Sequence, residues 1–189
     1  MRLRTMEYDI ELLSRKSFTV DIHDYETKKD ISDIVNYCQD NKIRALSAIQ
    51  LGIQKRIIYF DNSIIINPII IKKEGLTYYW ETCPSCLNYI GLVPRPYKVE
   101  IEHFDIAGNI IHHTFEGMSA TIIMHEYDHL NGYLHIDNAL AVFNMPKEEQ
   151  KSFRNSHKYA VIKKDGNFEE NQLQEKRIIT KKGLNTLIL

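Results

Sequence analysis

Ile31, Ile34, Val35 and Cys38 recur at i, i+3, i+4 and i+7 within the segment from Tyr25 to about Gln39. That spacing predicts an amphipathic helix with one apolar stripe turned to a core. Cys38 belongs to the stripe and reads as a small buried apolar residue. After the extended or turning stretch IRALSAIQLGI the period shortens. RIIYFD (Arg56–Asp61) and SIIINPIII (Ser63–Ile71) are dense in β-branched residues and predict two strands, with a turn at Asp61-Asn62. YKVEIEHFD (Tyr97–Asp105) alternates apolar and polar, turns at Ala107-Gly108-Asn109 and continues into IIHHTF, which predicts a hairpin. Its histidines, His103, His112 and His113, read as solvent-facing. EGMSATIIMHEYDHLNG then predicts a helix that stops at Asn131-Gly132, where glycine is the favoured terminator. Strands first and a central helix afterwards predict an α+β fold.

Beyond Met145-Pro146 the chain turns polar and rich in both charges, with a short apolar end. The organisation that follows is a main folded domain over residues 1–145 and a polar helix and tail over 146–189. The tail reads either as a solvated helix with a loosely docked end or as an arm for a larger partner.

Composition narrows the class. Of 189 residues, 43% are hydrophobic and 26% charged, which suits a globular domain. Lys+Arg 24 against Asp+Glu 25 gives a net charge of -1, so no basic field draws the chain to nucleic acid or anionic membrane. Apolar runs fall short of the roughly 20 residues a membrane span needs, and the start MRLRTMEYDIELL has no apolar leader core. The expectation is a cytoplasmic protein. Three cysteines (Cys38, Cys83, Cys86) do not make a secreted disulfide framework.

The strongest chemistry is HEYDH. On a helix, His125 and His129 stand one above the other and can share a metal ion, with Glu126 beside them as a general base. A zinc-type catalytic site needs a third protein ligand and one open position. HEYDHLNGYLH offers His135 at the spacing of a metzincin peptidase, with Gly132 also in step. Cys83-Pro-Ser-Cys86 offers a thiolate instead. A redox pair would want a thioredoxin-like βαβ pattern, and a zinc ribbon would need a second CxxC; neither occurs.

HEYDHLNG followed by an apolar–Asp pair resembles the third motif of peptide deformylases. SAIQLGI and SCLN resemble that family's first and second motifs, in the same order, over about Tyr8 to Asp137. The resemblance implies antiparallel sheets packed around a central metal-binding helix. It implies a hydrolase that removes formyl from the N-terminal methionine of nascent polypeptides. The metal ligands become Cys86, His125 and His129, leaving Cys83 as a packing residue or a nearby thiol. The ion becomes Fe(II), with Zn(II), Ni(II) or Co(II) as substitutes. Glu126 becomes the base, while Gln50 and the backbone N–H of Leu87 become donors to the formyl oxygen. Formylated nascent peptides become the partners, with the ribosome a further candidate, and no membrane or sequence-specific nucleic acid is implied.

The motifs also depart from the family. Its first motif, G-apolar-G-apolar-A-A-x-Q, reads Ile43-Arg44-Ala45-Leu46-Ser47-Ala48-Ile49-Gln50, without either glycine. With Cys86 as ligand, E-G-C-L-S reads Pro84-Ser85-Cys86-Leu87-Asn88 and loses its glutamate. Met124 replaces the Gln before the first His. Arg44, Ala45, Met118, Thr121 and Ile122 are the candidate substrate-binding wall. Asp128 is a candidate support for the ligands, paired with Arg95. A relative with altered or lost acyl activity is therefore the second reading, and a zinc metallopeptidase using His135 the third.

Overall fold

The computed structural model describes residues 1–157 and the backbone of 179–180 and 183–184. Helices α1 (Met6–Leu13) and α2 (Tyr25–Asp40) come first, α2 capped by the Asp24 carboxylate accepting from the Thr27 N–H. Five strands follow: β1 (Ala45–Ser47), β2 (Ile57–Phe60), β3 (Ser63–Glu74), β4 (Thr77–Thr82) and β5 (Tyr89–Arg95). Then come β6 (Lys98–Phe104), β7 (Ile110–Glu116), helix α3 (Met118–Leu130), β8 (Ala141–Asn144) and helix α4 (Lys147–Ser156). Short strands β9 (Ile179–Thr180) and β10 (Gly183–Leu184) pair with each other.

β1-β2-β3-β6-β7 form one antiparallel sheet, and β4-β5-β8 form a second. The turn between β2 and β3 is the expected Asp61-Asn62, both with positive φ (46° and 64°), a conformation these short polar side chains tolerate. β2 is covered on both faces, which is why its sequence is continuously apolar. Ile58 and Phe60 face α3 with Ile65, Val99, Ile101 and Phe115, against Ala120, Ile123, Met124 and Leu130. Ile57 and Tyr59 face α2 with Ile64 and Ile66, against Ile34 and Cys38. The helical stripe therefore buries Cys38 as expected, and burial pushes its thiol up to about 12.

Helix α3 is punctuated at both ends by glycine. Gly117 starts it with φ 57° and ψ -125°, open only to glycine. Gly132 follows it with φ 80°, and a Cβ there would collide with the Ser14 carbonyl. These ends fix the depth and rotation of the helix.

The hairpin of β6 and β7 is present, but His103 is buried rather than solvent-facing. Its ring stacks on His113 and it shares a hydrogen bond between Nε2 and His113 Nδ1 at 3.2 Å. At the start of the polar extension, α4 sets Phe153 against Trp80 and Phe143, with ring centroids 5.0 and 5.6 Å away. The rest of that extension, including any partner-binding arm, lies outside the described side chains. No helix among the described residues is long and apolar enough to cross a membrane.

Candidate metal and catalytic centre

His125 and His129 sit on adjacent turns of α3, their ring centroids 5.0 Å apart. The thiol that meets them is Cys83. Its Sγ lies 3.3 Å from His129 Nε2. One ligand atom from each of Cys83, His125 and His129 lies within 4.8 Å of the others, and all three side chains are buried. The expectation that Cys86 completes the histidine pair is not met. Cys86 is equally buried but lies beside Cys83, one turn along the tight Cys83–Cys86 loop, where its N–H donates to the Cys83 carbonyl at 2.8 Å. All three cysteines are free.

The reason for this register is Glu81. From β4 it accepts from His125 Nδ1 at 2.8 Å and from Arg95 through both carboxylate oxygens, at 2.6 and 2.8 Å. Arg95, on β5, also donates to Asp128 of α3 at 2.6 Å, the pairing expected from the sequence. A chain Asp128–Arg95–Glu81–His125 thus holds the ring and leaves its Nε2 for the centre, an arrangement that orients metal-binding histidines. Burial alone would raise the Glu81 carboxyl, but Arg95 and His125 overcome it and bring it down to about 2. Read on Cys83, E-G-C-L-S becomes Glu81-Thr82-Cys83-Pro84-Ser85. The glutamate that seemed lost is present.

The charge pattern suits a cation. The Cys86 thiol donates to the Cys83 sulfur and, with His129, holds Cys83 well below the ordinary thiol range despite burial. The same contact, with burial, pushes Cys86 up. Burial favours a neutral His125 ring, yet Cys83 and Glu81 raise it well above its usual value. Thiolate and imidazole donors gathered in a buried cluster, one imidazole braced by a carboxylate, are the donor set of zinc or ferrous iron.

Glu126 is buried at 5% exposure, and burial raises its carboxyl, only partly offset by the imidazoles and the Ser47 hydroxyl. Ser47 Oγ lies 2.8 Å from Glu126 Oε2 and 2.7 Å from its carbonyl, pinning the base to the end of β1. Gln50 is also buried. Its Oε1 accepts from the Ser47 N–H at 3.0 Å, and its Nε2 donates to Ser85 Oγ at 3.1 Å and points at Cys83 Sγ at 3.6 Å. The N-terminal segment clamps this corner: the Arg4 N–H donates to the Gln50 carbonyl and the Met6 N–H to the Ser85 carbonyl, both at 2.7 Å.

Leu87 does not join the centre. It is 45% exposed, and its carbonyl accepts from Gln150 of α4 at 2.8 Å. The residue after Cys83 is Pro84, which has no N–H to offer. Among the wall residues, Thr121 is buried, Ile122 half-buried against the α3 core and Met118 exposed at the helix start. Ala45 pairs with Phe60 at the sheet edge. Arg44 turns outward, in a two-pronged pair with Asp61 at 2.8 and 2.9 Å and over the Phe60 ring. His135 groups with Cys83 and Cys86 rather than with the histidine pair, against a metzincin triad. Sequence reasoning missed Cys83, Glu81 and Ser47; the glutamate two residues before a cysteine was the signal for the first two.

The chain is similar to known proteins over most of its length. A family profile, Polypeptide deformylase, matches residues 3–144. Peptide deformylase 1 of Clostridium perfringens is 34% identical over 147 residues, 74% of this chain and 100% of the relative. The peptide deformylase of Caldicellulosiruptor bescii is 32% identical over 157 residues, 81% of this chain and 93% of its own. An inhibitor complex of the Plasmodium falciparum peptide deformylase superposes with a TM-score of 0.67 at 32% identity, covering 82% of this chain and 95% of that one.

Proposed function

Because the chain belongs to the peptide deformylase family, we propose that it hydrolyses the formyl amide on the N-terminal methionine of nascent polypeptides, using Cys83, His125 and His129 to hold one divalent ion. The observation that carries this reading is the buried Cys–His–His cluster with Glu126 beside it. Fe(II) is the proposed ion, with Zn(II), Ni(II) or Co(II) able to take its place. When bound, such an ion acidifies water and polarises a carbonyl oxygen.

The chain's own residues do the rest. Glu126 takes a proton from the attacking water and returns it to the departing amine; burial raises its carboxyl, which makes it a stronger base. Glu81 and Arg95 keep His125 in one orientation. The Gln50 amide, beside Cys83, donates to the oxygen on which charge develops. Thr121, Ile122 and Met118 form the wall for the methionine side chain, with Ala45 at its edge. Arg44, turned to Asp61, leaves that wall apolar. The proposed setting is the cytoplasm, on chains emerging from the ribosome.

A second reading, a relative with weakened amide hydrolysis, draws on Pro84. The resemblance implies a backbone donor after the ligand cysteine, and proline removes it. The test is formate release from formyl-Met-Ala-Ser by protein loaded anaerobically with Fe(II), alongside Glu126→Gln. Turnover in the parent and a loss of about 10²-fold or more in the variant, with metal retained, is the expected result. Absence of formate release from fully metallated parent protein overturns deformylation.

A further inference from the structure

Cys86 and His135 take no part in the reaction described above, yet both are almost fully buried against its centre. His135 begins a short 3-10 turn, His135–Asp137, and its ring stacks on His125 with centroids 5.8 Å apart. Its seat is shaped to it: a Cβ on Gly91 of β5 would come within 3.3 Å of His135 Cδ2. The residue is 1% exposed, and neither ring nitrogen has a hydrogen-bond partner. An imidazole buried with both nitrogens unpaired is costly to keep, and such a group is either paired by something not in the chain or under selection for another use.

The sulfurs of Cys83 and Cys86 and a ring nitrogen of His135 lie within 4.8 Å of one another. Tetrahedral zinc with thiolate and imidazole bonds sets neighbouring ligand atoms roughly 3.5 Å apart, so modest side-chain rotations close this trio on an ion. Among the described residues, this trio and the Cys83–His125–His129 trio share Cys83 and nothing else. A single ion served by both sets would bring Cys86 or His135 into a group with His125 and His129, and no such group occurs there.

We propose that Cys83, Cys86 and His135 form a second cation position for a soft divalent ion such as Zn(II), bridged to the first through the Cys83 thiolate. Binding there exchanges the Cys86 thiol proton for the metal and gives the orphaned His135 nitrogen its partner. The inference depends on the proposed function only through Cys83, the ligand the two positions share.

The test is stoichiometry. Full-length protein, stripped of metal under reducing conditions, is titrated with Zn(II) and read by native mass spectrometry. Parallel Co(II) titration follows the thiolate-to-metal absorption band, and a weak competing chelator keeps surface histidines empty. The parent should take two equivalents. Cys86→Ala and His135→Phe should each saturate at one, with the second equivalent weakened at least 100-fold and the folded circular dichroism retained. His135→Phe keeps an aromatic ring in the seat without nitrogens, so its folding does not hinge on the lost ligand. One equivalent in all three proteins, or two in both variants, overturns the second position and leaves the first intact. No tight equivalent in the parent overturns both.

Discussion

Two residues apart in the chain, Glu81 and Cys83 reach the same imidazole cluster from one strand end. The HExxH spacing was legible because i and i+4 share a helix face whatever surrounds them. The third thiol was overlooked although its signal, Glu81 two residues before Cys83, stood in the chain: SCLN drew the motif onto Cys86, and the deciding contact, Glu81 to His125, links residues 44 positions apart. The neighbour of the true partner then matters. Pro84 withholds a backbone donor where the family resemblance implies one, and one such donor is worth about 10²–10³ in kcat. Pro84→Ala is expected to raise kcat on formyl-Met-Ala-Ser by about tenfold or more, with KM little changed. Steady-state kinetics checks it, and an unchanged or lower kcat would show that Gln50 suffices alone.

At the scale of elements, period and punctuation predicted α2, β2, β3, the β6–β7 hairpin and α3 with its glycine stop, and each is present. β4 and β5 escaped because burial on both faces erases alternation. Thr77, Tyr79, Trp80 and Glu81 are all buried, and β5 carries Gly91 and Pro94, which read as breakers. The strand that delivers the ligand cysteine was therefore invisible as a strand. α4 carries a similar lesson, since its mixed charges hide one aromatic anchor. Phe153 stacks edge-on to Trp80 at 5.0 Å, and the buried Gln150 donates to the Leu87 and Met145 carbonyls. Phe153→Ala is expected to cost about 2 kcal/mol, below the fully buried range because the side chain is only half-buried. Urea unfolding reads it, and a change below about 0.5 kcal/mol would mean the helix is not anchored there.

For the whole molecule, the centre lies where the two sheets meet α3. The five-stranded sheet supplies Ser47 to hold Glu126, and the three-stranded sheet supplies Glu81 and Arg95 to hold His125 and Asp128. Arg95 ties the three-stranded sheet to α3, 3% exposed with carboxylates on both sides. Removing it leaves two acidic groups uncompensated. Arg95→Leu is expected to cost about 3–5 kcal/mol and to weaken metal binding through His125 by about 10–100-fold. Equilibrium unfolding of the metal-free protein isolates the first effect and competition with a chelator the second. A stable variant with parental affinity would sever the proposed link between sheet docking and ligand orientation.

The account rests on which sulfur closes the histidine pair. Crystals of the protein carrying one equivalent of Zn(II), measured at the zinc absorption edge, answer this through the anomalous difference map. The peak is expected about 2.3 Å from Cys83 Sγ and about 2.1 Å from nitrogens of His125 and His129. A peak bonded to Cys86 Sγ and both histidines, with the Cys83 sulfur turned away, would contradict it.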